Sequence, residues 1–538
     1  MAEFDYVIVG AGPAGCVLAD RLSADPGTTV LLVEAGDHDS NPLIAMPGGA
    51  FTLLGDPNTA WFHPTRPFGP TGLVEHWVRG KTLGGSSSVN GMVYNRGQAA
   101  DYDELVRLGN PGWGWPDLLA AFTAIEDHEL GADPVRGAGG PLQVSSTEVR
   151  ATPLLDDVIT AGTELGWRST RDVNEADGER IGYAIATIHD GRRVSASTAF
   201  LQPALDRPNL TVAVRTVVDR LLFDGDPAAE VRAVGVTGRH DGHSFEATAT
   251  REVILAAGAI GSPKLLQLSG LGPEPVLRAA GVDVLRDVPK LGRRMREHRA
   301  FQLQFRLTEE LGYNPVLSTP EGQQAALQEY QEHRRGVLAA PPFEIVGFLK
   351  TRPGLDRPDA QLQIAPLSIA PRRQGATVEV EREPGMMAIG FALRPVSEGS
   401  LRITSADPDA PLDIDANYLA MEPDRTTTVG AFRALRRLFE TAPLADRIER
   451  ETEPGPAVGT DQEILDYVLT VGSAGYHAVG TCAMGPSAED VVDSRLRVRG
   501  VAGLRVVDAS VLPVIVSGNL NGPVTALAWR AADLIREE

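Results

Sequence analysis

Three glycines spaced Gly-x-Gly-x-x-Gly stand near the head of this chain, at Gly10, Gly12 and Gly15. They directly follow the apolar run Tyr6 to Val9 and precede a segment whose Val17, Leu18 and Leu22 share one helical face. A second apolar run, Val30 to Val33, comes next. Strand, glycine turn, helix and strand in that order make a βαβ unit, which calls for a parallel, doubly wound sheet. The first glycine makes the turn, the second lets the backbone approach a pyrophosphate, and the third lets helix and strand pack closely. Pro13 and Ala14 open the helix, whose N-terminus would face the anion. Glu34 ends the second strand and Ala35 follows it; an acidic side chain there grips ribose hydroxyls. A plain glycine turn in an ordinary sheet would not need strand, helix and acid all in place. A 2′-phosphate would meet Glu34 and Asp37 with no arginine close in sequence, which disfavours NADP and leaves NAD and FAD open.

The chain has 538 residues, more than the roughly 250–300 that one hydrophobic core sustains, so two or three domains are expected. Hydrophobic residues make up 43% of it, enough for sizeable cores. Segments 131–141 and 351–358 are rich in Gly, Pro and Asp and read as surface loops or crossings between domains. Strand-like runs return at Leu210 to Val214, Val253 to Ala256 and Leu504 to Val507. From Pro523 to Arg536, apolar residues at 524, 527, 528, 531, 534 and 535 have helical spacing with one buried face. If this last strand and helix rejoin the first sheet, the nucleotide domain is discontinuous, with a second domain inserted.

A formal net charge of -21 repels phosphate backbones and argues against nucleic acid as a partner. The compact basic cluster Arg293, Arg294 and Arg296 is too short to reverse that. Two cysteines, Cys16 and Cys482, are not a disulfide framework and favour a reducing compartment. Neither a basic, then apolar, leader nor an 18-residue apolar run is visible, so the expectation is a cytoplasmic protein without a membrane segment. No metal site is expected, and the sequence carries no signal for oligomeric state.

The run RGKTLGGSSSVNGMVYNRG, Arg79 to Gly97, is the next informative stretch. Gly84, Gly85, Ser86, Ser87 and Ser88 offer consecutive backbone N–H groups and short hydroxyls, suited to a second polar approach along a long cofactor. Leu83, Val89 and Met92 argue that the run is packed rather than a flexible linker.

Continued to GKTLGGSSSVNGMVYNRGQAADYD, this run resembles the first signature of the glucose–methanol–choline (GMC) oxidoreductase family. GAIGSPKLLQLSGLG, Gly258 to Gly272, resembles the second. YHAVGTCAMG and VVDASVLPVIVSGNLNGPVTALAWRAADLI resemble the family's catalytic region, and the motifs stand in family order along the whole chain. The resemblance implies an α/β fold: a discontinuous, Rossmann-like FAD-binding domain over 1–152, 193–300 and 485–538, and a substrate domain over 153–192 and 301–484. The latter would be built on a mostly antiparallel sheet with flanking helices. FAD is thereby the implied cofactor. Gly10, Gly12, Pro13, Ala14 and Gly15 would face its pyrophosphate, and Glu34 with Ala35 the adenosine ribose. Arg79, Leu83, Gly84, Gly85, Ser88, Val89, Asn90 and Gly91 would lie along pyrophosphate, ribityl chain and flavin edge. Val218 would pair with adenine through its backbone. Ala257, Gly258, Asp508 and Ala509 would line the sheet's carboxyl edge. Some relatives tether flavin through a histidine just before the signature's Asn; here that position is Val89, so the FAD is expected to be non-covalent.

Alcohol oxidation needs a base for the hydroxyl proton while the flavin takes the carbon's hydride, and histidine suits the first task. Composition cannot choose among ten histidines. His477 fills the His position of the family's HxxGT element, and Asn519 the second catalytic position, which is His in some members and Asn in others. Asn519 can orient the substrate oxygen but cannot be the base at neutral pH, so the proton falls to His477. Asn521, as cap, and Pro523 would open the last helix and aim its positive end at the flavin. Tyr476 would line the substrate pocket. Two departures from the family are visible: Arg296-Glu297-His298 where Asp-His is usual, and Glu398 where Arg is common. The expected partners are a small-molecule alcohol and either O2 or another acceptor. Two other readings stay open, a hydroxynitrile lyase-like enzyme that keeps its flavin out of redox chemistry, and a flavin-binding protein without catalysis.

Overall fold

The computed structural model describes residues 2–226, 231–370 and 379–538, and among these two large sheets organise the chain. The first begins with β1 (Ala2–Val9), α1 (Pro13–Ser23) and β2 (Val30–Val33), then resumes with β3 (Leu210–Ala213), β4 (Thr216–Gly225), β5 (Val231–His240) and β6 (His243–Leu255). Helix α2 (Gly258–Leu268) follows. The second sheet is centred on β7 (Arg299–Leu307), β8 (Ile345–Leu349), β9 (Ala360–Ala365) and β10 (Gly385–Ala392). Strand β11 (Leu504–Val506) and helix α3 (Asn521–Arg536) return to the first sheet.

The first sheet runs β3-β2-β1-β6-β5-β4, with β11 also on β6. All pairings among β3, β2, β1, β6 and β11 are parallel, and Val9 pairs with both Val33 and Leu255 while Leu255 pairs with Val506. The carboxyl ends of β2, β1, β6 and β11 therefore stand side by side. The chain leaves β1 toward β2 on one side and joins β6 on the other, which opens a crevice at that edge. Every residue of β2 is buried, as expected of a strand covered on both faces.

The apolar runs read from the sequence fall on β1, β2, β3, the end of β6, and β11. Strand β6 starts at His243 rather than Val253, because its first half pairs with β5 as a hairpin, His240 opposite His243. That half alternates exposed and buried positions and leaves no apolar run to find. Helix α3 also differs from its forecast single buried face. It packs between α1 and the helix Trp115–Ile125, so Thr525, Ala526 and Ala532 are buried along with the expected positions 524, 527, 528, 531, 534 and 535.

The second sheet runs Ile448–Glu453, β7, β10, β9, β8, Arg180–Tyr183, Arg168–Ser169, with Ser473–Ala474 also on β7. Only the Arg168–Ser169 pairing is parallel among these described strands. The architecture is mixed α/β, a doubly wound sheet beside a mostly antiparallel one with flanking helices. Among the described residues no helix is long and apolar enough to cross a membrane.

Candidate active site

The glycine turn is built by close contact. Gly10 has φ 102°, and a Cβ there would lie 2.6 Å from the carbonyl oxygen of Ala256. A Cβ on Gly15 would lie 1.8 Å from the oxygen of Gly10, so α1 can rest on the end of β1 only with glycine. Gly12 is the opposite case: a Cβ there would find its nearest heavy atom 4.0 Å away, at the oxygen of Ala256, leaving room on that side of the turn. Gly12 caps α1 without a side-chain bond, Pro13 takes the first helical position, and Ala14 is buried behind it. The free N–H groups of that helix end form an anion site. Open space at Gly12, an uncapped helix and a parallel-sheet switch point are what a dinucleotide such as FAD requires, and these residues fit it.

Glu34 lies at this edge, but its carboxylate is already engaged. Its oxygens accept the N–H groups of Ala11 at 2.9 Å and Gly36 at 2.8 Å. Burial raises its pKa while those bonds oppose the rise. Ala35 is half-buried beside it. The Arg79–Gly91 segment closes against the first turn: a Cβ on Gly85 would meet Gly12 Cα at 2.6 Å. Leu83 N donates to Asp37 O at 3.1 Å. The serine hydroxyls turn inward rather than outward, Ser87 Oγ donating to Gly84 O at 2.6 Å and Ser88 Oγ to Leu83 O at 2.7 Å. Asn90 Oδ1 accepts from Arg193 at 2.8 Å, Gly91 is half-buried, and Val89 packs in an apolar cluster with Ile44 and Leu53. On the far side, Asp508 Oδ2 accepts Gly258 N at 2.9 Å and the Ser262 hydroxyl at 2.6 Å, ahead of half-buried Ala509. Ala257 caps α2. Val218 lies on β4 opposite Gly238.

His477 follows the short strand Ser473–Ala474 at the edge of the second sheet. Strand Ser473–Ala474 pairs with β7, Arg299 opposite Ala474, and Gly475 N donates to His298 O at 2.8 Å. That register sets His298 and His477 side by side with Gly475 between them, where a Cβ would lie 2.7 Å from His298 Cβ. The imidazoles meet through their Nδ1 atoms at 2.9 Å. His298 Nε2 lies 2.9 Å from the carbonyl oxygen of Leu393. A carbonyl only accepts, so Nε2 of His298 carries the hydrogen. Burial pushes the His298 pKa down to about 4, so the ring is neutral and its Nδ1 is an acceptor. His477 must then donate from Nδ1, which leaves its Nε2 with a free lone pair. Burial, then the neighbouring His298 and Arg79, hold the His477 pKa well below 6.5.

That Nε2 faces the Nδ2 of Asn519 at 3.3 Å. Below the pair, Glu297 Oε1 accepts the backbone N–H of His477 at 2.6 Å and of His298 at 2.9 Å, and its Oε2 lies 3.3 Å from Arg79. Burial outweighs Arg79 and the two backbone bonds and raises the Glu297 pKa to about 7. Arg79, expected along the cofactor, thus has its guanidinium in the histidine cluster, 5.9 Å from the Tyr476 ring. Tyr476 is 39% exposed and has φ 63°, a left-handed backbone rare for an aromatic residue. Phe391 packs 4.6 Å from the His298 ring and 6.0 Å from His477. Asn521 does not cap α3: Leu520 holds that position in an αR backbone, so Asn521 is already helical and Pro523 sits in the first turn. Cys16 and Cys482 are buried and unpaired, with burial raising both thiols. Among the described residues no His/Cys/Asp/Glu group is placed to hold a metal ion.

Sequence reading missed Asn95, Gln361 and Gln363, whose amides surround Asn519, and left His298 and Glu297 as mere departures from a pattern. In the sequence QLQ alternates like a half-exposed strand; only the packing shows two polar residues on one face of Ala360–Ala365, a strand buried throughout.

Models of the GMC oxidoreductase family match residues 4–300 and 395–528 of this chain. Mouse (Mus musculus) mitochondrial choline dehydrogenase is 38% identical over 545 residues, spanning 99% of this chain and 89% of that protein. An alcohol dehydrogenase (acceptor) of Pseudomonas putida is 36% identical, covering 99% and 95%. The crystal structure of pyridoxine 4-oxidase from Mesorbium loti superposes with a TM-score of 0.88 at 31% identity, covering 99% of each chain. With a glycine-built dinucleotide edge and a half-buried histidine–asparagine pair, and matches that span both, this chain belongs to the GMC oxidoreductase family, FAD-dependent enzymes that oxidise alcohols.

Proposed function

We propose that this enzyme oxidises a primary alcohol to the aldehyde, with His477 as the base and Asn519 as the group that orients the substrate oxygen. The observation that carries this reading is the hydrogen-bond chain from Leu393 O through His298 to His477, which leaves Nε2 of His477 unprotonated and open toward Asn519. A neutral imidazole with a free lone pair is ready to take a hydroxyl proton. Its low pKa keeps it in that form well below neutrality. The Asn519 N–H group, directed at the same point, donates to the developing alkoxide. Bound FAD supplies the acceptor for the hydride that leaves the carbinol carbon.

In this reading the cofactor lies along Gly10–Gly15, Glu34–Ala35, Leu83–Gly91, Val218, Ala257–Gly258 and Asp508–Ala509, with the start of α3 near the flavin. Glu34 would share its carboxylate between the turn's N–H groups and the ribose. The FAD-binding domain comprises 1–152, 193–300 and 485–538, and the substrate domain 153–192 and 301–484. Apolar Val89, packed on Ile44 and Leu53, supports non-covalent flavin; acid precipitation should release all yellow colour to the supernatant. Two buried, unpaired cysteines support a reducing, cytoplasmic setting. Tyr476, next to the base in the chain and 39% exposed, favours flat aromatic or furanic primary alcohols. The pyridoxine 4-oxidase relative, named for an aromatic substrate, points the same way.

The test is an anaerobic absorbance spectrum with a panel of benzylic, furanic and aliphatic alcohols, choline included, followed by air. Bleaching by the aromatic alcohols, with colour returning in air, supports an alcohol oxidase; lasting bleaching identifies a dehydrogenase with another acceptor. A flavin that no alcohol bleaches, together with cyanohydrin cleavage, would overturn the redox reading in favour of the lyase.

A further inference from the structure

Asn519 holds its amide in one of two orientations, and its surroundings select which. Its Oδ1 lies 2.8 Å from Asn95 Nδ2, 3.0 Å from Gln361 Nε2 and 2.9 Å from Gln363 Nε2. These three amides are 1%, 0% and 3% exposed. Their placement follows from the strand pairing and from one another. Gln361 and Gln363 sit two residues apart on β9, so both point to one face, across from Phe391 and Ile389 of β10. Gln361 Oε1 is turned toward Asn95 Nδ2 at 3.5 Å, which keeps its Nε2 toward Asn519. Asn95 turns its Nδ2 toward Asn519 even though its own buried Oδ1 has no hydrogen-bond partner among the described residues.

A carbonyl oxygen with two lone pairs can satisfy converging N–H donors, whereas an NH2 group in its place would set hydrogens against hydrogens. Turning the Asn519 amide over would break three bonds at once in a buried site. We propose that Asn95, Gln361 and Gln363 are positioning residues that hold the Asn519 oxygen away from the reaction, so that its N–H group meets both His477 Nε2 and the substrate oxygen. The cage thereby does for one face of His477 what His298 does for the other: both sides require Nε2 to be the lone-pair atom. It also makes this chain specific for an amide at 519. A histidine ring has at most one acceptor nitrogen and would leave two of the three donors unmet. This inference rests on His477 being the base, and the tests below separate the two.

The charged and titratable groups facing His477 are His298 from the residue before β7, Glu297 beside it, and Arg79, which Glu297 holds; Glu75 acts on Glu297 from farther off. None is altered by changes at 361, 363 or 519. The first measurement is the histidine side-chain proton–nitrogen spectrum of FAD-loaded protein carrying ¹⁵N-histidine. The wild type should show His477 protonated at Nδ1 alone. Asn519→Asp keeps an oxygen for the three donors but puts a second oxygen against Nε2, which should then take up a proton. Its His477 titration and the acid limb of kcat/KM should both move up by about one pH unit or more. Gln361→Met with Gln363→Met frees the amide to turn; kcat should fall about tenfold with KM nearly unchanged, and the acid limb should again move up. Gln363→Met alone should show a weaker form of the same change.

His477 protonated at Nε2 in the wild type would overturn the proposal without any variant. So would an unmoved acid limb in both Asn519→Asp and the double Met variant. If His477→Gln instead keeps full turnover, the base assignment fails, while the tautomer spectrum still reports on the cage.

Discussion

The two sides of this site are made of different material. On the nucleotide side the shape is set by backbone: Gly10, Gly15 and Gly85 allow contacts that any side chain would block, and Gly12 keeps space open. On the substrate side it is set by side chains from separate segments: Asn95, Glu297 with His298, Gln361 with Gln363, His477, and Asn519. Asn95 and Asn519, directly bonded, are 424 positions apart. A backbone cradle fails as a whole when one atom is added. A side-chain network can lose members singly, and each loss should show as a change in proton affinity or rate rather than in shape.

The sharpest way to break this contrast is Gly15→Ala. With a carbon placed 1.8 Å from the oxygen of Gly10, α1 must lift from β1. Purified protein should lose most of its flavin, read as flavin absorbance per mole of protein, or fail to fold. Full flavin content would show that the turn has slack and that the contrast is false.

His298→Leu should act in the other mode. It removes the acceptor that fixes the His477 tautomer and fills the space with an apolar group. Flavin content should stay near normal while kcat falls roughly 10–100-fold, as expected when a base is left without its orienting partner. Loss of flavin in step with rate would mean that the substrate side also fails as a unit.

Glu297→Gln refines the comparison with the smallest effect. Burial raises the Glu297 pKa from 4.5 to about 7, so the folded chain holds this proton more tightly than the unfolded one. The stability this contributes is complete below about pH 4.5 and is lost as pH rises through about 7, with an upper bound of about 3 kcal/mol. Melting temperature should therefore fall from pH 5 to pH 8 more steeply in the wild type than in the Gln variant. Parallel curves would mean that Arg79 and the two backbone N–H groups offset burial completely.

The same division governs what the sequence disclosed. The nucleotide edge was legible because its determinants are local: glycine spacing, an apolar run on each side, and Glu34 at a set distance. His477 and Asn519 were legible through motifs, not through physics of their own. Gln361 and Gln363 were not, since alternating polar and apolar residues read as a half-exposed strand, whereas β9 is buried along its whole length. Its polar face looks at other amides instead of water, a fact of tertiary packing. His298 and Glu297 were noticed as a departure, yet their role follows from the pairing of Arg299 with Ala474, which no local pattern encodes. Helix α3 was found but its second buried face was not, because only α1 and Trp115–Ile125 together determine it.

The return of the chain to its own beginning also has a consequence in time. Strand β11 completes the pairing of β6, and α3 packs on α1, some 500 positions earlier. On a ribosome adding about 5–20 residues each second, the first βαβ unit waits roughly 25–100 s for these partners. Until then the surface of α1 that α3 will cover is bare, and the histidine–asparagine pair does not exist. Completion of the site is in this sense a late event of biosynthesis, and the growing chain depends in that interval on whatever shields its exposed apolar surface.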